Sequence, residues 1–98
     1  MKIINQENKI KKKISQLKGK NCKIVMCHGV FDVIHYGHIL HFEEAKKFGD
    51  VLIISTTSDK FVKKGFNRPF FNLNTRMSTL AALDIVDYVI PSDYATSI

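Results

Sequence analysis

The fold is decided by one stretch of this 98-residue chain, Lys23-Ile-Val-Met-Cys-His-Gly-Val-Phe-Asp-Val-Ile-His-Tyr-Gly-His38. Its first six residues form a short apolar, β-branched run without polar alternation, which is typical of a strand buried on both faces of a sheet. A turn from Gly29 to Gly37 follows, and apolar residues then recur at helical spacing from His38 to Phe48 before Gly49 ends the helix. Strand, glycine turn and helix in this order are the first half of a βαβ unit.

The rest of the sequence continues the same pattern. Residues 50–56 repeat the buried-strand signature, and the helix before them is long enough for a right-handed crossover between parallel strands. Residues 88–90 form a last β-type run before Pro91. The order βαβαβ predicts a single domain, a three-layer Rossmann-like α/β fold with a parallel sheet over 22–98, preceded by a basic amphipathic helix within 1–20.

The connections after the second strand are predicted from their capping and turn residues. Thr57 or Ser58 is placed at the start of a short helix, and residues 63–69 are predicted to form a loop because they break helical periodicity. Asn74 or Thr75 is predicted to cap the helix that precedes the last strand.

Composition narrows the class of protein. With 98 residues, 45% hydrophobic and 24% charged, the chain makes one small domain, because two domains would each be too small for a sufficient core. The apolar runs are far shorter than the ~20 residues that cross a bilayer, and the Lys-rich start lacks the apolar region of a signal peptide. Cys22 and Cys27 are spaced to point to opposite faces of a strand, so they cannot pair. We therefore expect a cytoplasmic protein without a membrane-spanning segment.

The net charge of +6 is concentrated in one part of the chain. Residues 1–23 hold eight Lys against one Glu, giving +7, whereas the seven basic and eight acidic residues of 24–98 give −1. A basic stripe on one terminal helix is more typical of a solvated helix face than of a nucleic-acid-binding surface. The charge pattern therefore argues against nucleic acid as the partner.

The strongest functional signal is a pair of histidines, His35 and His38, at the start of the first crossover helix. Gly29 and Gly37 allow the backbone to approach a ligand closely, and a helix N-terminus suits phosphate. Two histidines three residues apart lie on one side of a helical turn, so both rings can donate to phosphate oxygens on which charge grows during transfer. These residues predict a site for phosphoryl or nucleotidyl transfer.

The sequence also resembles a known family. His35-Tyr-Gly-His38 resembles the HxGH signature of the cytidylyltransferase-like nucleotidyltransferases, and the likeness continues through residues 38–50. Four later segments are similar to the adenylyltransferase domain of bifunctional heptose-phosphate kinase/adenylyltransferase enzymes: 64–69, Arg76, 80–83 and 86–89.

The resemblance implies transfer of AMP or CMP from a nucleoside triphosphate to a sugar phosphate such as a heptose phosphate, with release of pyrophosphate and ATP as the favoured donor. It implies Mg²⁺ as cofactor, held through the nucleotide phosphates, and a homodimer. His35 and His38 would stabilise the α-phosphate, and Lys64 would be a third catalytic residue. Nucleotide or phosphate contacts are implied for Gly29, Val30, Phe31, Asp32, Gly37, Lys46, Asp59, Arg68 and Arg76.

Several alternatives stay open at this point. A CTP-dependent enzyme acting on glycerol phosphate or a phosphoethanolamine-type acceptor is one, although Asp84 stands where glycerol-phosphate enzymes of the family carry Arg, which favours the sugar-phosphate branch. A non-catalytic nucleotide-binding or dimerisation module is another. Family members carry a further phosphate- and base-binding segment after the last strand, whereas this sequence ends at Ile98, so we expect the last elements of the domain to lie outside it.

Single residues also have two interpretations. His28 is either a structural residue at the end of the first strand or a ligand contact, and Asp87 is either a helix terminator or a functional acid. The four histidines lack companion Cys or carboxylate residues at ligand spacing, so no protein-bound metal is expected.

Overall fold

The computed structural model describes residues 2–59 and 70–93, and it places three helices and three strands in them. In chain order these elements are α1 (Glu7–Gly19), β1 (Ile24–Gly29), α2 (Tyr36–Lys46), β2 (Val51–Thr56), α3 (Leu73–Ala81) and β3 (Tyr88–Pro91). The predicted order βαβαβ is confirmed. The short helix predicted after Thr57 and the loop predicted over 63–69 lie largely or wholly in 60–69, outside the described residues.

The three strands form one parallel sheet in the order β1-β2-β3. The register places Cys27 of β1 opposite Ile54 of β2, and Ile54 opposite Val89 of β3. Because all three strands run in the same direction, their carboxyl ends meet at one edge of the sheet, called the carboxyl edge below. The opposite edge, where the strands begin, is called the amino edge.

Helices cover both faces of this sheet. On one face Phe42 of α2 and Leu80 of α3 pack in a cluster with Ile54 of β2. On the other face Ile10 of α1 packs in a cluster with Ile53 of β2. Since successive strand residues point to opposite faces, β2 is buried between two helical layers, and the predicted three-layer α/β fold is confirmed.

The cysteines and the lengths of the helices bear on two predictions from the sequence, that Cys22 and Cys27 do not pair and that no segment spans a membrane. Cys22 and Cys27 are both free cysteines, and burial raises the pKa of the Cys27 thiol. Among residues 2–59 and 70–93, no helix has the length and apolar character needed to cross a membrane.

The start of α3 differs from the prediction. The Asn72 side chain accepts a 2.9 Å hydrogen bond from N–H of Thr75, so Asn72 is the N-cap and the helix begins at Leu73. Asn74 and Thr75 therefore lie inside the first turn, and the prediction that one of them caps the helix is wrong.

We expect Asn72→Ala to lower the free energy of unfolding by about 1 kcal/mol, because it removes the only side-chain acceptor described at the start of α3. Asn74→Ala is the matched control, since Asn74 lies exposed within the helix, where Ala has the higher helix propensity. Urea unfolding of the two variants measures the difference. Equal losses of stability in both would contradict the assignment of the cap.

Candidate functional site

The predicted site lies where α2 meets the carboxyl edge. β1 ends at Gly29 and α2 begins at Tyr36, so one short turn joins the strand to the helix. The N-terminus of α2 therefore lies at this edge, with its partial positive charge and N–H groups without helical partners. Such a helix end favours an anionic ligand.

His35 and His38, called the histidine pair below, cap this helix reciprocally. Nδ1 of His35 accepts a 3.0 Å hydrogen bond from N–H of Gly37, and N–H of His35 donates a 3.2 Å hydrogen bond to Nδ1 of His38. The two ring centroids lie 4.2 Å apart. His35 thus takes the N-cap position, which is why α2 begins at Tyr36, two residues earlier than predicted.

The hydrogen bonds determine which nitrogen of each ring is a donor. Because each Nδ1 accepts from a backbone N–H, each neutral ring carries its proton on Nε2. Within residues 2–59 and 70–93, neither Nε2 has a hydrogen-bond partner. Two neighbouring N–H donors are therefore available to the oxygens of one ligand.

The surroundings of His38 favour its neutral form. Burial lowers the pKa of His38 below the ordinary histidine value, and the neighbouring His35 and His41 rings lower it further. A neutral ring at pH 7 retains the acceptor nitrogen that the cap requires.

We expect acidification to weaken this cap. Protonated imidazole has no acceptor nitrogen, so protonation of His38 breaks its hydrogen bond from N–H of His35. The pKa of His38 is lowered in the folded chain from the ordinary value of 6.5, so the unfolded state binds more protons between the two pKa values. The free energy of unfolding should therefore fall as the pH decreases from about 6.5 through the folded pKa.

Urea unfolding at a series of pH values measures this contribution, with His38→Gln as the comparison because it has no titrating ring. The unsubstituted chain should lose more stability on acidification than His38→Gln. Parallel pH profiles for the two proteins would contradict the assigned tautomer.

The turn after β1 packs directly against the histidine pair. Phe31 has a φ of 53°, in the left-handed region that bulky residues rarely adopt. Its ring folds back over Gly29, where a Cβ would lie 2.9 Å from Cζ of Phe31. The same ring packs edge-on against His38, with 5.6 Å between ring centroids. Gly29 and Phe31 thus shape the site by packing, while direct contact with a nucleotide stays a prediction.

Asp32 connects this turn to the segment that enters α3. Its two carboxylate oxygens accept hydrogen bonds of 2.7 and 2.9 Å from N–H of Phe70 and Phe71. Asp32 thus ties the turn after β1 to the segment that enters α3, and the nucleotide contact implied for it stays a prediction.

The guanidinium of Arg76 is surrounded by protein acceptors. The residue is 1% exposed, and its guanidinium donates only to protein acceptors within the described residues. These acceptors, at 2.6 to 3.0 Å, are the carbonyl oxygens of Phe71, Val30 and Thr57, Oγ1 of Thr56 and Oδ1 of Asp59. The donors of Arg76 are buried and already paired within the described residues, and the phosphate contact implied for it stays a prediction. Asp59 lies at the carboxyl edge as predicted, but as the ion-pair partner of Arg76.

Comparison with protein families matches residues 26–97 to the cytidylyltransferase-like family. The chain belongs to this family. The match begins within β1 and contains the turn and helix that build the histidine pair as well as β2, α3 and β3.

Curated relatives are bacterial proteins named bifunctional protein HldE. The chain is 45% identical over 87 residues to the one from Actinobacillus pleuropneumoniae serotype 5b, covering 87% of this chain and 18% of that protein. It is 46% identical over 90 residues to the one from Haemophilus influenzae strain PittEE, covering 90% of this chain and 19% of that protein. The chain thus spans about a fifth of the length of these relatives.

A solved structure has the same fold. The lipopolysaccharide core biosynthesis protein from Thermoplasma volcanium GSS1 is 36% identical, with a TM-score of 0.66 over 71% of this chain and 57% of that protein. This likeness supports the Rossmann-like assignment of the parallel sheet.

Lys46 is a site residue of the family resemblance that the structure does not bring to the carboxyl edge. Its ammonium group forms an ion pair with Asp87, whose carboxylate also accepts a 2.7 Å hydrogen bond from N–H of Leu52 at the start of β2. The reason is geometric, since α2 runs from the carboxyl edge to the amino edge and Lys46 is its last residue. Lys46 and Asp87 are therefore ion-pair partners at the amino edge, and the phosphate contact implied for Lys46 stays a prediction.

The remaining predicted residues fall into two groups. Gly37 lies at the site, and a Cβ there would come within 2.8 Å of Cε1 of His35, so Gly37 makes room for the capping ring. Val30 contributes its carbonyl oxygen to Arg76. Lys64 and Arg68 lie in 60–69, outside the described residues, and their roles stay predictions.

The parallel topology places residues 56–59, at the end of β2, at the ligand-binding edge, but the sequence assigns no individual role to Thr56 or Thr57. Oγ1 of Thr56 donates a 2.8 Å hydrogen bond to the carbonyl oxygen of Val30, and N–H of Thr57 donates to the carbonyl oxygen of Gly29 at 3.1 Å. The available signal was the change from apolar to hydroxyl residues at the end of a buried strand. His28 is exposed at the end of β1, with Nδ1 3.1 Å from Oγ of Ser55.

Proposed function

We propose that the histidine pair binds the α-phosphate of a nucleoside triphosphate and that this site transfers the nucleoside monophosphate to a sugar phosphate. The observation that carries the proposal is the pair of adjacent Nε2–H donors at the N-terminus of α2. Family membership supports the same class of reaction, as do relatives named bifunctional protein HldE and lipopolysaccharide core biosynthesis protein.

The proposed step is a direct displacement at the α-phosphorus. An oxygen of the acceptor phosphate forms a bond to this phosphorus while the bond to the oxygen bridging the α- and β-phosphates breaks, and pyrophosphate leaves. Negative charge grows on the non-bridging α-phosphate oxygens during this step. Nε2–H donors of His35 and His38 aimed at these oxygens stabilise the transition state more than the ground state.

Mg²⁺ is the proposed cofactor, held through the phosphates of the nucleotide. The described carboxylates beside the turn are already engaged, Asp32 by backbone N–H groups and Asp59 by Arg76. Within the described part of the chain, no three His, Cys, Asp or Glu side chains are grouped so that they could hold a metal ion. The described side chains at this site therefore fit a triphosphate that brings its own Mg²⁺. When bound, the Mg²⁺ would neutralise part of the phosphate charge.

We propose ATP as the nucleotide and a heptose phosphate as the acceptor, because the later segments of the sequence resemble adenylyltransferase domains of heptose-phosphate enzymes. The alternative is CTP with glycerol phosphate or a phosphoethanolamine-type acceptor. A homodimer and a cytoplasmic location belong to the same proposal. Sedimentation velocity measures the first, and fractionation of the source cells measures the second.

A pyrophosphate-release assay tests the proposal. The protein is mixed with Mg²⁺, with ATP or CTP, and with heptose phosphate, glycerol phosphate or phosphoethanolamine in every combination. We expect release only when a nucleotide and an acceptor are both present, and fastest with ATP and heptose phosphate. Faster release with CTP and one of the smaller acceptors would establish the alternative enzyme.

Two other outcomes would overturn the proposal. Nucleotide binding without release in any combination would identify a non-catalytic nucleotide-binding module. Release that does not depend on an acceptor would identify hydrolysis instead of transfer.

A further inference from the structure

Arg76 joins four segments of the chain beneath the carboxyl edge. Its donors hold the turn after β1, the end of β2, the residues that follow β2 and the residue before the cap of α3. The guanidinium is fully buried, with 0% of its side chain exposed. A buried charge is tolerated when its donors are paired, and a planar guanidinium presents these donors in a fixed geometry. One side chain therefore sets the relative positions of these four segments.

We propose that Arg76 is a positioning residue for the histidine pair, acting through the turn that follows β1. The first link is the carbonyl oxygen of Val30, which accepts 2.8 Å hydrogen bonds from both Nη1 of Arg76 and Oγ1 of Thr56. The peptide between Val30 and Phe31 is thereby fixed from the side of the sheet.

The second link is the strained residue that follows. The left-handed φ of 53° at Phe31 is unfavourable for a bulky side chain and persists only where surrounding contacts impose it. This conformation directs the Phe31 ring between His38 and Phe42, at 5.6 and 5.4 Å between ring centroids. The orientation of His38 thus depends on a backbone conformation that Arg76 maintains.

A second set of hydrogen bonds, through Phe71, links Arg76 to the residue that follows Phe31. Nε of Arg76 donates to the carbonyl oxygen of Phe71 at 2.9 Å, and N–H of Phe71 donates to Oδ1 of Asp32, the residue after Phe31, at 2.9 Å. The strained residue is therefore held on its preceding side by Arg76 itself and on its following side through Phe71. Asp59 completes the geometry by accepting from Nη2 of Arg76 at 2.6 Å.

Two variants test this inference. Arg76→Lys keeps the charge but cannot reproduce the planar set of donors, and Asp59→Asn weakens the hold on the guanidinium while keeping Arg76 in place. The matched control is Lys46→Met, which removes the Lys46–Asp87 ion pair at the amino edge, far along α2 from the turn. We expect it to lower the stability of the fold, and the ion pair that it removes does not involve Phe31 or the histidine pair.

The first readout is the pKa of the His38 ring, measured by NMR titration of the folded variants. In the unsubstituted chain it is lowered by burial and by the neighbouring His35 and His41 rings. Loosening the turn releases the ring, so the pKa should rise toward its ordinary value in Arg76→Lys and, to a lesser extent, in Asp59→Asn. It should stay unchanged in Lys46→Met.

The second readout is catalytic and rests on the proposed function. Misplacing a group that acts in the transition state lowers kcat, so Arg76→Lys should reduce kcat by about tenfold or more, with a smaller change in KM for the nucleotide. The NMR readout needs no substrate, so it decides the inference even if the protein proves to have a different activity.

The inference is overturned if folded Arg76→Lys keeps the His38 pKa of the unsubstituted chain, or if Lys46→Met shifts that pKa as much. Should Arg76→Lys fail to fold, Asp59→Asn decides in the same way: a raised pKa supports the positioning role, and an unchanged pKa contradicts it.

Discussion

His35→Ala and His38→Ala are each expected to lower kcat for nucleotidyl transfer by about 10²- to 10³-fold, the effect of removing one preorganised donor from a developing oxyanion. Each substitution removes one of the two Nε2–H groups at the N-terminus of α2. Steady-state kinetics of pyrophosphate release measures the loss. His41→Ala is the matched control, because His41 is exposed on the same helix and takes no part in the cap.

The capping role of His35 must be separated from its proposed catalytic role. His35→Asn retains a side-chain acceptor that caps helices well, but it has no imidazole Nε2–H. We expect this variant to unfold at nearly the same urea concentration as the unsubstituted chain and still to lose activity. Full activity in stable His35→Asn would show that His35 only caps the helix.

Gly49→Ala is expected to destabilise the fold by about 1–3 kcal/mol, the usual range for an overpacked site. A Cβ at Gly49 would lie 2.6 Å from Cγ2 of Val25 and 2.7 Å from the carbonyl oxygen of Lys23. This carbonyl cannot withdraw easily, because N–H of Asp50 donates a 2.7 Å hydrogen bond to it. Gly49 therefore allows α2 to turn closely into β2.

Gly19→Ala is the comparison for this substitution. Apart from its chain neighbours and the backbone of α1, no atom of the described residues lies within 4 Å of a Cβ built at Gly19, so the added methyl group should be neutral or slightly stabilising. Denaturant unfolding of the two variants gives the difference directly. Similar stabilities for Gly49→Ala and Gly19→Ala would contradict the close packing at the amino edge.

The strands and layers were predictable because their signals are local. The apolar runs of β1 and β2 stand between glycines and polar residues, and β2 is buried on both faces as its lack of alternation predicts. The same prediction is wrong for β1, which is the last strand on its side of the described sheet and leaves Met26 and His28 exposed. The first residue of α2 was harder to predict from the sequence, because histidine is not among the usual N-cap residues. The cap at His35 also depends on a reciprocal hydrogen bond with His38.

Two residues that the family resemblance implies as phosphate contacts, Lys46 and Arg76, have protein partners in the structure that the sequence does not indicate. Lys46 lies eleven residues after His35, which corresponds to roughly 16 Å of helix, so the length of α2 alone carries it away from the carboxyl edge. Arg76 precedes the apolar residue Met77 and lies on the buried side of α3. The carbonyl oxygen of Val30 that it contacts lies 46 residues earlier in the sequence, and the periodicity of the sequence does not indicate contacts over such a separation.

The central claim is that the histidine pair is a phosphate-binding site for a nucleoside triphosphate. Calorimetric titration with Mg-ATP and, separately, with Mg-CTP tests it most directly, using His35→Ala to identify the site and His41→Ala as control. We predict saturable binding of one of the two nucleotides that His35→Ala abolishes and His41→Ala preserves. Equal binding by His35→Ala and the unsubstituted chain, or binding of neither nucleotide, would contradict the claim.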